Sequence, residues 1–162
     1  MIYRIRVILD VDDDVLRDIE ISSTSTLEDL HNAIIKSFGF LGNEMASFYE
    51  SDENWTQKDE LPLESLDTGI NKKNEILNTV LTFSKPKLIY VYDFLNLWTF
   101  YVELKEEGEI IPGVTYPNFI NSKGDVPEEA PPKIFEADGE ENYSNNDMDM
   151  NEDISDEDSS FY

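Results

Sequence analysis

Residues 2–21 read IYRIRVILDVDDDVLRDIEI and consist of two alternating runs separated by an acidic cluster. In the first run, Ile2 to Leu9, every second residue from Tyr3 onward is apolar, which predicts a strand with one fully apolar face. The second run, Val15 to Ile21, alternates in a similar way. Because the Asp-rich residues 10–14 between the runs are typical of a turn, the stretch predicts an antiparallel hairpin.

A helix is predicted directly after this hairpin. Ser25 and Glu28 have the spacing of a capping box, in which a hydroxyl and a later acid cap the start of a helix. Apolar residues then recur at helical spacing as far as Phe38, and Gly39 is a typical helix end. The helix is therefore expected to pack one apolar face against the sheet.

The middle of the chain predicts shorter elements. Residues 45–50 predict a third strand, and residues 51–60 predict a polar surface loop. Residues 74–83 fit either a helix or a strand. Ordered structure is expected to end between residues 118 and 132, where prolines accumulate.

The two strongest strand patterns lie next to each other. They are residues 87–94, KLIYVYDF, and residues 97–105, LWTFYVELK. The two residues between them, Leu95 and Asn96, match the length of a tight turn and predict a second hairpin.

The order of these elements is typical of an α+β domain. A hairpin crossed by one helix and followed by further strands is the layout of a β-grasp, or ubiquitin-like, first half. We expect a mixed sheet that the C-terminal hairpin extends. Residues 1–124 are long enough for one hydrophobic core, so we predict one domain there and a tail over residues 125–162.

The predicted tail is strongly acidic. It contains 14 Asp or Glu residues against one base, Lys133, within a chain of net charge −24. A segment of this composition buries too little apolar surface to offset its ordering entropy, so it is predicted to be disordered and to act as an interaction arm. The acidic charge disfavours direct nucleic-acid binding and favours a basic protein or a nucleic-acid-binding enzyme as partner.

Composition and motifs exclude several other classes. The chain has no cysteine, no Gly-rich phosphate loop and one histidine, His31, so we expect no metal and no cofactor. Residues 147–158 imitate an EF-hand loop, but Glu152 replaces the required Gly and Asp158 replaces the bidentate Glu. Without a signal peptide or a long apolar run, the expectation is a cytoplasmic protein with no membrane contact.

The end of the tail resembles the acidic tips of bacterial single-stranded-DNA-binding proteins. Such tips finish in Phe after a run of acids and dock in apolar pockets with basic rims. The resemblance implies a terminal aromatic anchor whose neighbouring carboxylates pair with basic residues. The alternative is a solubilising tail. The corresponding residues are Asp153, Asp156, Glu157, Asp158, Phe161 and Tyr162.

Three pairs of motifs carry a wider resemblance: residues 3–5 with 16–21, residues 25–31 with 38–40, and Tyr-Val-Tyr-Asp-Phe at 90–94 with Trp98. They are similar to the plasmid open-reading-frame-three-like family, named from a root-inducing plasmid, some members of which are labelled transposon passenger proteins. The resemblance covers residues 1–106. It implies an α+β domain with a β-grasp-like first half, and it implies no settled activity.

The chain departs from that family at the second hairpin. Members usually have a Gly-Asp-Gly-Trp-like turn after the Tyr-Asp-Phe strand and a His beyond the Trp, whereas residues 95–100 here read LNLWTF. The family also has a His in the strand near Met45, and the corresponding strand here has none. A site at those positions is therefore expected to be lost, and an apolar hairpin tip suits a protein interface instead.

These observations favour a non-enzymatic protein-interaction module or adaptor. It would bind a basic protein or a nucleic-acid enzyme through the hairpin and the tail, with the tail acting as a nucleic-acid mimic. The alternative is a small-ligand binder or enzyme with a pocket near Asp93 and Trp98. On the hairpin, the residues predicted to contact the partner are Tyr90, Tyr92, Leu95, Leu97, Trp98 and Phe100.

Overall fold

The structure is a computed structural model that describes residues 1–64 and 69–132. Within these residues the chain forms seven strands and two helices. In chain order they are β1 (Ile2–Leu9), β2 (Leu16–Ser22), α1 (Leu27–Phe38), β3 (Ala46–Ser51), β4 (Gln57–Pro62), α2 (Leu77–Val80), β5 (Lys87–Tyr92), β6 (Trp98–Gly108) and β7 (Asn118–Lys123).

The strands form one sheet in the order β4-β3-β5-β6-β1-β2-β7. All six pairings are antiparallel. The sheet is antiparallel rather than mixed, so that part of the expectation was wrong. The β5–β6 hairpin does extend the sheet, because β6 pairs with β1 on one side and with β5 on the other. The most apolar strands thus occupy the centre of the sheet, where burial stabilises them most.

The first hairpin is confirmed. β1 and β2 pair from Ile2 opposite Ser22 to Ile8 opposite Leu16. Tyr3 and the odd-numbered residues after it are buried on one face of β1, as the alternation predicted. The opposite face carries arginines that form ion pairs with β2, among them Arg6 with Asp18 at 2.9 Å. The core therefore lies on one side of the sheet.

α1 covers that side. Its capping box is formed by Thr26 and Asp29, one residue later than the predicted Ser25 and Glu28. Thr26 has extended backbone and its hydroxyl accepts from the Asp29 N–H, while the Asp29 carboxylate accepts from the Thr26 N–H. Gly39 ends the helix in the left-handed conformation, with φ 79°, as predicted.

The second hairpin is also confirmed, with a longer turn than predicted. β5 and β6 pair from Lys87 opposite Glu103 to Tyr92 opposite Trp98. Residues 93–97 therefore form the connection, not Leu95 and Asn96 alone.

Two strands lie where loops were expected. β4 covers residues 57–60 of the predicted polar loop 51–60, and β7 lies in the region where order was expected to end. Both are edge strands of largely exposed residues, so neither carries the apolar alternation that marks a strand in sequence. Within residues 74–83, the helical alternative is realised as α2.

Residues 1–131 form one compact unit. Val126 and Ala130 are partly buried against its core, although they lie beyond Gly124. The division at residue 125 stays a prediction, and residues 133–162 lie outside the described part of the chain. No helix in the described part is long and apolar enough to cross a membrane.

Candidate interaction surface

The stem of the β5–β6 hairpin is buried. Tyr90 and Phe100 are 0% exposed, and Tyr92 and Trp98 are nearly as inaccessible. The strand register places all four side chains on the face that α1 covers, where the Phe100 ring lies 4.9 Å from that of Phe38. These predicted contact residues are thus part of the core, and a partner could reach them only if the sheet opened.

The tip of the same hairpin is exposed. Leu95 is 93% exposed and Phe94 is 41% exposed, while Leu97 is half-buried. Asp93 and Leu97 both have positive φ, at 67° and 55°. The turn is closed by the Leu97 N–H, which donates to the Asp93 carbonyl at 2.6 Å. This turn projects two large apolar side chains from the end of the sheet.

Asp93 holds the turn together. Its carboxylate accepts from the Leu95 N–H at 3.1 Å, the Asn96 N–H at 3.3 Å and the Asn96 side-chain amide at 2.7 Å. Burial alone would raise the pKa of Asp93, but these hydrogen bonds outweigh it and hold the pKa below its usual range. The carboxylate is thus fully used inside its own turn.

That geometry bears on the predicted pocket near Asp93 and Trp98. A groove of about 680 Å³ lies instead at the opposite end of β5, where Lys87, Phe83 and Asp52 are among its lining residues. Neither Asp93 nor Trp98 contributes to it. Asp93 therefore offers no free polar group to the small-ligand site of the alternative prediction.

A second exposed leucine lies beside the hairpin tip. Leu41 is 87% exposed, in the loop that follows α1. The loop is fixed to the hairpin because the Gly42 N–H donates to the Tyr92 hydroxyl at 3.0 Å and the Met45 carbonyl accepts from the Asp93 N–H at 2.8 Å. The sequence reasoning missed Leu41; the available signal was the apolar pair Phe40-Leu41 between the helix-ending Gly39 and Gly42.

Phe40 explains why Leu41 faces outward. The Phe40 ring lies 5.0 Å from the Tyr92 ring and 5.1 Å from the Trp98 ring, so Phe40 anchors the loop to the hairpin stem. We call Leu41, Phe94, Leu95 and Leu97 the tip surface.

An acidic turn borders the tip surface. Residues 10–14, DVDDD, join β1 to β2, and the Asp10 N–H donates to the Thr99 carbonyl at 2.8 Å. Asp12, Asp13 and Asp14 are exposed, and Asp14 forms a long ion pair of 3.5 Å with Lys123. The apolar tip therefore has an anionic neighbour at the same end of the sheet.

His31 on α1 contacts a buried residue of the sheet. Its Nδ1 lies 2.6 Å from the Tyr90 hydroxyl, which links α1 to the centre of the sheet. Burial lowers the pKa of His31, and the charges of Glu28 and Glu64 partly offset this. The cavity beside it holds about 80 Å³, room for little more than ordered water.

No group of three or more His, Cys, Asp or Glu residues within residues 1–64 and 69–132 is placed to hold a metal ion. The EF-hand-like loop lies outside those residues. So do the predicted tail contacts, which are Asp153, Asp156, Glu157, Asp158, Phe161 and Tyr162; they stay predictions.

Comparison with known protein families finds one that matches nearly the whole chain. A family model described as plasmid pRiA4b ORF-3-like protein matches residues 1–157. The chain belongs to this family. The predicted resemblance is thereby confirmed, and the match extends well past residue 106. No curated protein matches the chain.

One solved structure has the same fold as this plasmid pRiA4b ORF-3-like chain. It is the crystal structure of the protein of unknown function MM3350 from Methanosarcina mazei Go1, with a TM-score of 0.69 and 24% identity over 78% of this chain and 72% of that one. At this identity the similarity establishes the fold and carries no activity across.

Proposed function

We propose that this chain is a non-enzymatic cytoplasmic adaptor whose tip surface contacts a basic protein. The observation that carries the proposal is the exposure of Leu41 and Leu95, at 87% and 93%, on two loops that hydrogen bonds fix to each other. Exposed apolar residues on fixed loops can enter a partner's pocket with little further loss of conformational entropy.

The acidic turn favours a basic partner. An interface commonly has an apolar centre and a polar rim, and the carboxylates at residues 12–14 would form such a rim beside Leu95. Lys or Arg side chains on the partner would complement this rim and speed association. The same charge disfavours direct binding to nucleic acids.

The tail would supply a second contact. In this proposal its carboxylates and terminal aromatic pair bind the basic surface of the same partner, such as a nucleic-acid-binding enzyme whose phosphate site the tail occupies as a mimic. Two linked contacts raise the effective concentration of each, so each alone can be weak.

The β-grasp likeness of the first half belongs to the same proposal. It is supported by a hairpin, β1–β2, with α1 packed across it. The sheet continues from β1 into β6, which is antiparallel to β1.

Affinity capture from lysate of the source organism tests the adaptor proposal. The bait is the full chain, compared with the double variant Leu41→Asp/Leu95→Asp. The matched control is Ile110→Asp/Ile111→Asp, which adds the same charge at two exposed isoleucines beyond the far end of β6. We expect the tip variant to lose a basic protein that the control retains.

Removal of Phe161 and Tyr162 tests the tail separately. We expect weaker capture of the same basic protein. Equal capture by the wild type and the tip variant would reject the tip surface, and full capture after the truncation would leave the tail a solubilising role.

A further inference from the structure

β7 is an edge strand of low charge. Its pairing contains one register shift, as does that of the other edge strand, so this feature does not distinguish the two edges. Among the described residues the hydrogen-bonded neighbour of β7 is β2. The other edge strand, β4, has three charged residues and a proline in its sequence QKDELP. β7, NFINSK, has a single charge, and its Phe119 and Ile120 are 38% and 40% exposed. Charges and proline are the usual means of blocking an edge, so β7 is the more receptive one.

A groove runs between β7 and α1. It consists of two adjoining cavities, of about 590 Å³ and 330 Å³, and Lys36 and Phe119 line both. Lys36 lies in the last turn of α1, with its Nζ 5.7 Å from the centre of the Phe119 ring. A side chain projecting from a strand added to β7 would therefore enter the groove next to a cation and an aromatic ring.

The larger cavity is lined by bases without acids, in a chain of net charge −24. Arg17 donates to the carbonyls of Ser37, Leu16 and Lys123, at 3.0, 2.7 and 3.0 Å. Burial lowers the pKa of Arg17, and the charge of Asp125 partly offsets this. Arg17 and Lys36 are therefore the two charged residues that line this cavity.

The smaller cavity contains one acid, Asp29. Its carboxylate already accepts from the Thr26 N–H as half of the capping box. The rest of its lining is neutral or basic, so it does not reverse the sign of the groove.

We propose that β7 and this groove bind an extended acidic peptide segment of a partner protein. The segment would add to the sheet beside β7, with backbone hydrogen bonds to the edge. Because side chains alternate along a strand, every second one would face the groove, where a carboxylate would meet Lys36 and Arg17. Screening over about 8 Å at physiological salt limits repulsion by the acids elsewhere on the chain.

A probe peptide tests this directly. The probe is a blocked hexapeptide of alternating Glu and Val, equal in length to the 6 residues of β7. It is titrated into the ¹⁵N-labelled full chain, and the amide shifts are followed by NMR. We expect the shifts to concentrate in residues 118–123 and the last turn of α1, and binding to weaken when salt is raised. A control peptide in which Gln replaces each Glu, the Gln–Val peptide, is expected to bind several-fold more weakly.

Two variants of Lys36 complete the test. Since Lys36 is exposed, Lys36→Glu should fold normally, and we expect it to weaken binding of the Glu–Val peptide by about fivefold. Lys36→Gln should fall between Lys36→Glu and the wild type. Lys85→Glu, which makes the same charge change in the loop before β5, should bind as the wild type does.

Leu95→Asp should also leave peptide binding unchanged, because the tip surface is a separate site. Equal binding of the Glu–Val and Gln–Val peptides, shifts centred away from β7, or equal loss in Lys36→Glu and Lys85→Glu would overturn the proposal.

Discussion

The stem and the tip of the β5–β6 hairpin are both apolar in sequence, yet they lie in opposite environments. Tyr90 and Phe100 in the stem are fully buried, whereas Leu95 at the tip is almost fully exposed. The stem residues pair across two strands and face α1, but residues 93–97 lie beyond the last strand pair. An apolar residue at the end of a hairpin has no layer to pack against and stays in contact with water. Exposed apolar patches of this kind are typical of interaction sites.

The two parts also differ in what holds them. The stem is held by ring packing, such as Tyr90 against Phe48 with centroids 4.8 Å apart. The tip is held by the polar side chain of Asp93, which accepts three hydrogen bonds. Stability should therefore respond to apolar truncation in the stem and to loss of polar contacts at the tip.

The largest expected effect is in the stem. We expect Phe100→Ala to lower the free energy of unfolding by about 3–5 kcal/mol, because it leaves a cavity among buried rings. Denaturant unfolding followed by circular dichroism measures this. Leu95→Ala is the matched control and should change stability by less than about 0.5 kcal/mol. Similar losses in the two variants would remove the distinction between stem and tip.

A smaller effect is expected at the base of the turn. Asp93→Ala should cost about 2 kcal/mol, because three hydrogen bonds are lost and alanine is less tolerant of positive φ. Asp93→Asn keeps an acceptor and tolerates that conformation, so it should cost about half as much or less. The same unfolding experiment measures both variants. If the two were equally stable, the hydrogen bonds of the carboxylate would not be what holds the tip.

The smallest expected effect is the contribution of His31, which contacts the stem residue Tyr90, to the pH dependence of folding stability. Its pKa is lowered in the folded state, so the unfolded chain binds more protons as the pH falls below the ordinary histidine value of about 6.5. Stability should therefore be full above that pH and decrease as the pH falls from about 6.5 through the lower folded-state pKa.

The protonated imidazole carries a hydrogen on both ring nitrogens, so towards the Tyr90 hydroxyl it can only donate. His31→Gln should lack this component of the pH profile. Parallel profiles of the wild type and His31→Gln from pH 7.5 to about 5 would contradict the assignment.

The sequence predicted the elements that bury an apolar face. β1, β2, α1 and the β5–β6 hairpin alternate or repeat strongly because each is packed against the core. β4 and β7 were missed because an edge strand is stabilised by backbone pairing, which leaves no apolar pattern in the sequence. The antiparallel placement of β6 beside β1 is a long-range pairing that no local pattern specifies.

The candidate site was predictable only in part. The apolar residues of the second hairpin identified it as unusual, but the pattern could not separate Tyr92 from Leu95, because exposure depends on where the strand pairing ends. Leu41 joins the surface through the Gly42–Tyr92 and Met45–Asp93 hydrogen bonds, which connect residues about fifty positions apart. The positive φ of Asp93 and Leu97 has no glycine to signal it.

The most direct test of the central claim, that the tip rather than the stem meets a partner, is site-specific photo-crosslinking. A photoreactive phenylalanine analogue is placed at Leu95 and, as a control, at Ile110, which is 63% exposed beyond the far end of β6. In lysate of the source organism, we predict a crosslink to a basic protein from position 95 and none to that protein from position 110. The same products from both positions, or none from position 95, would contradict the account.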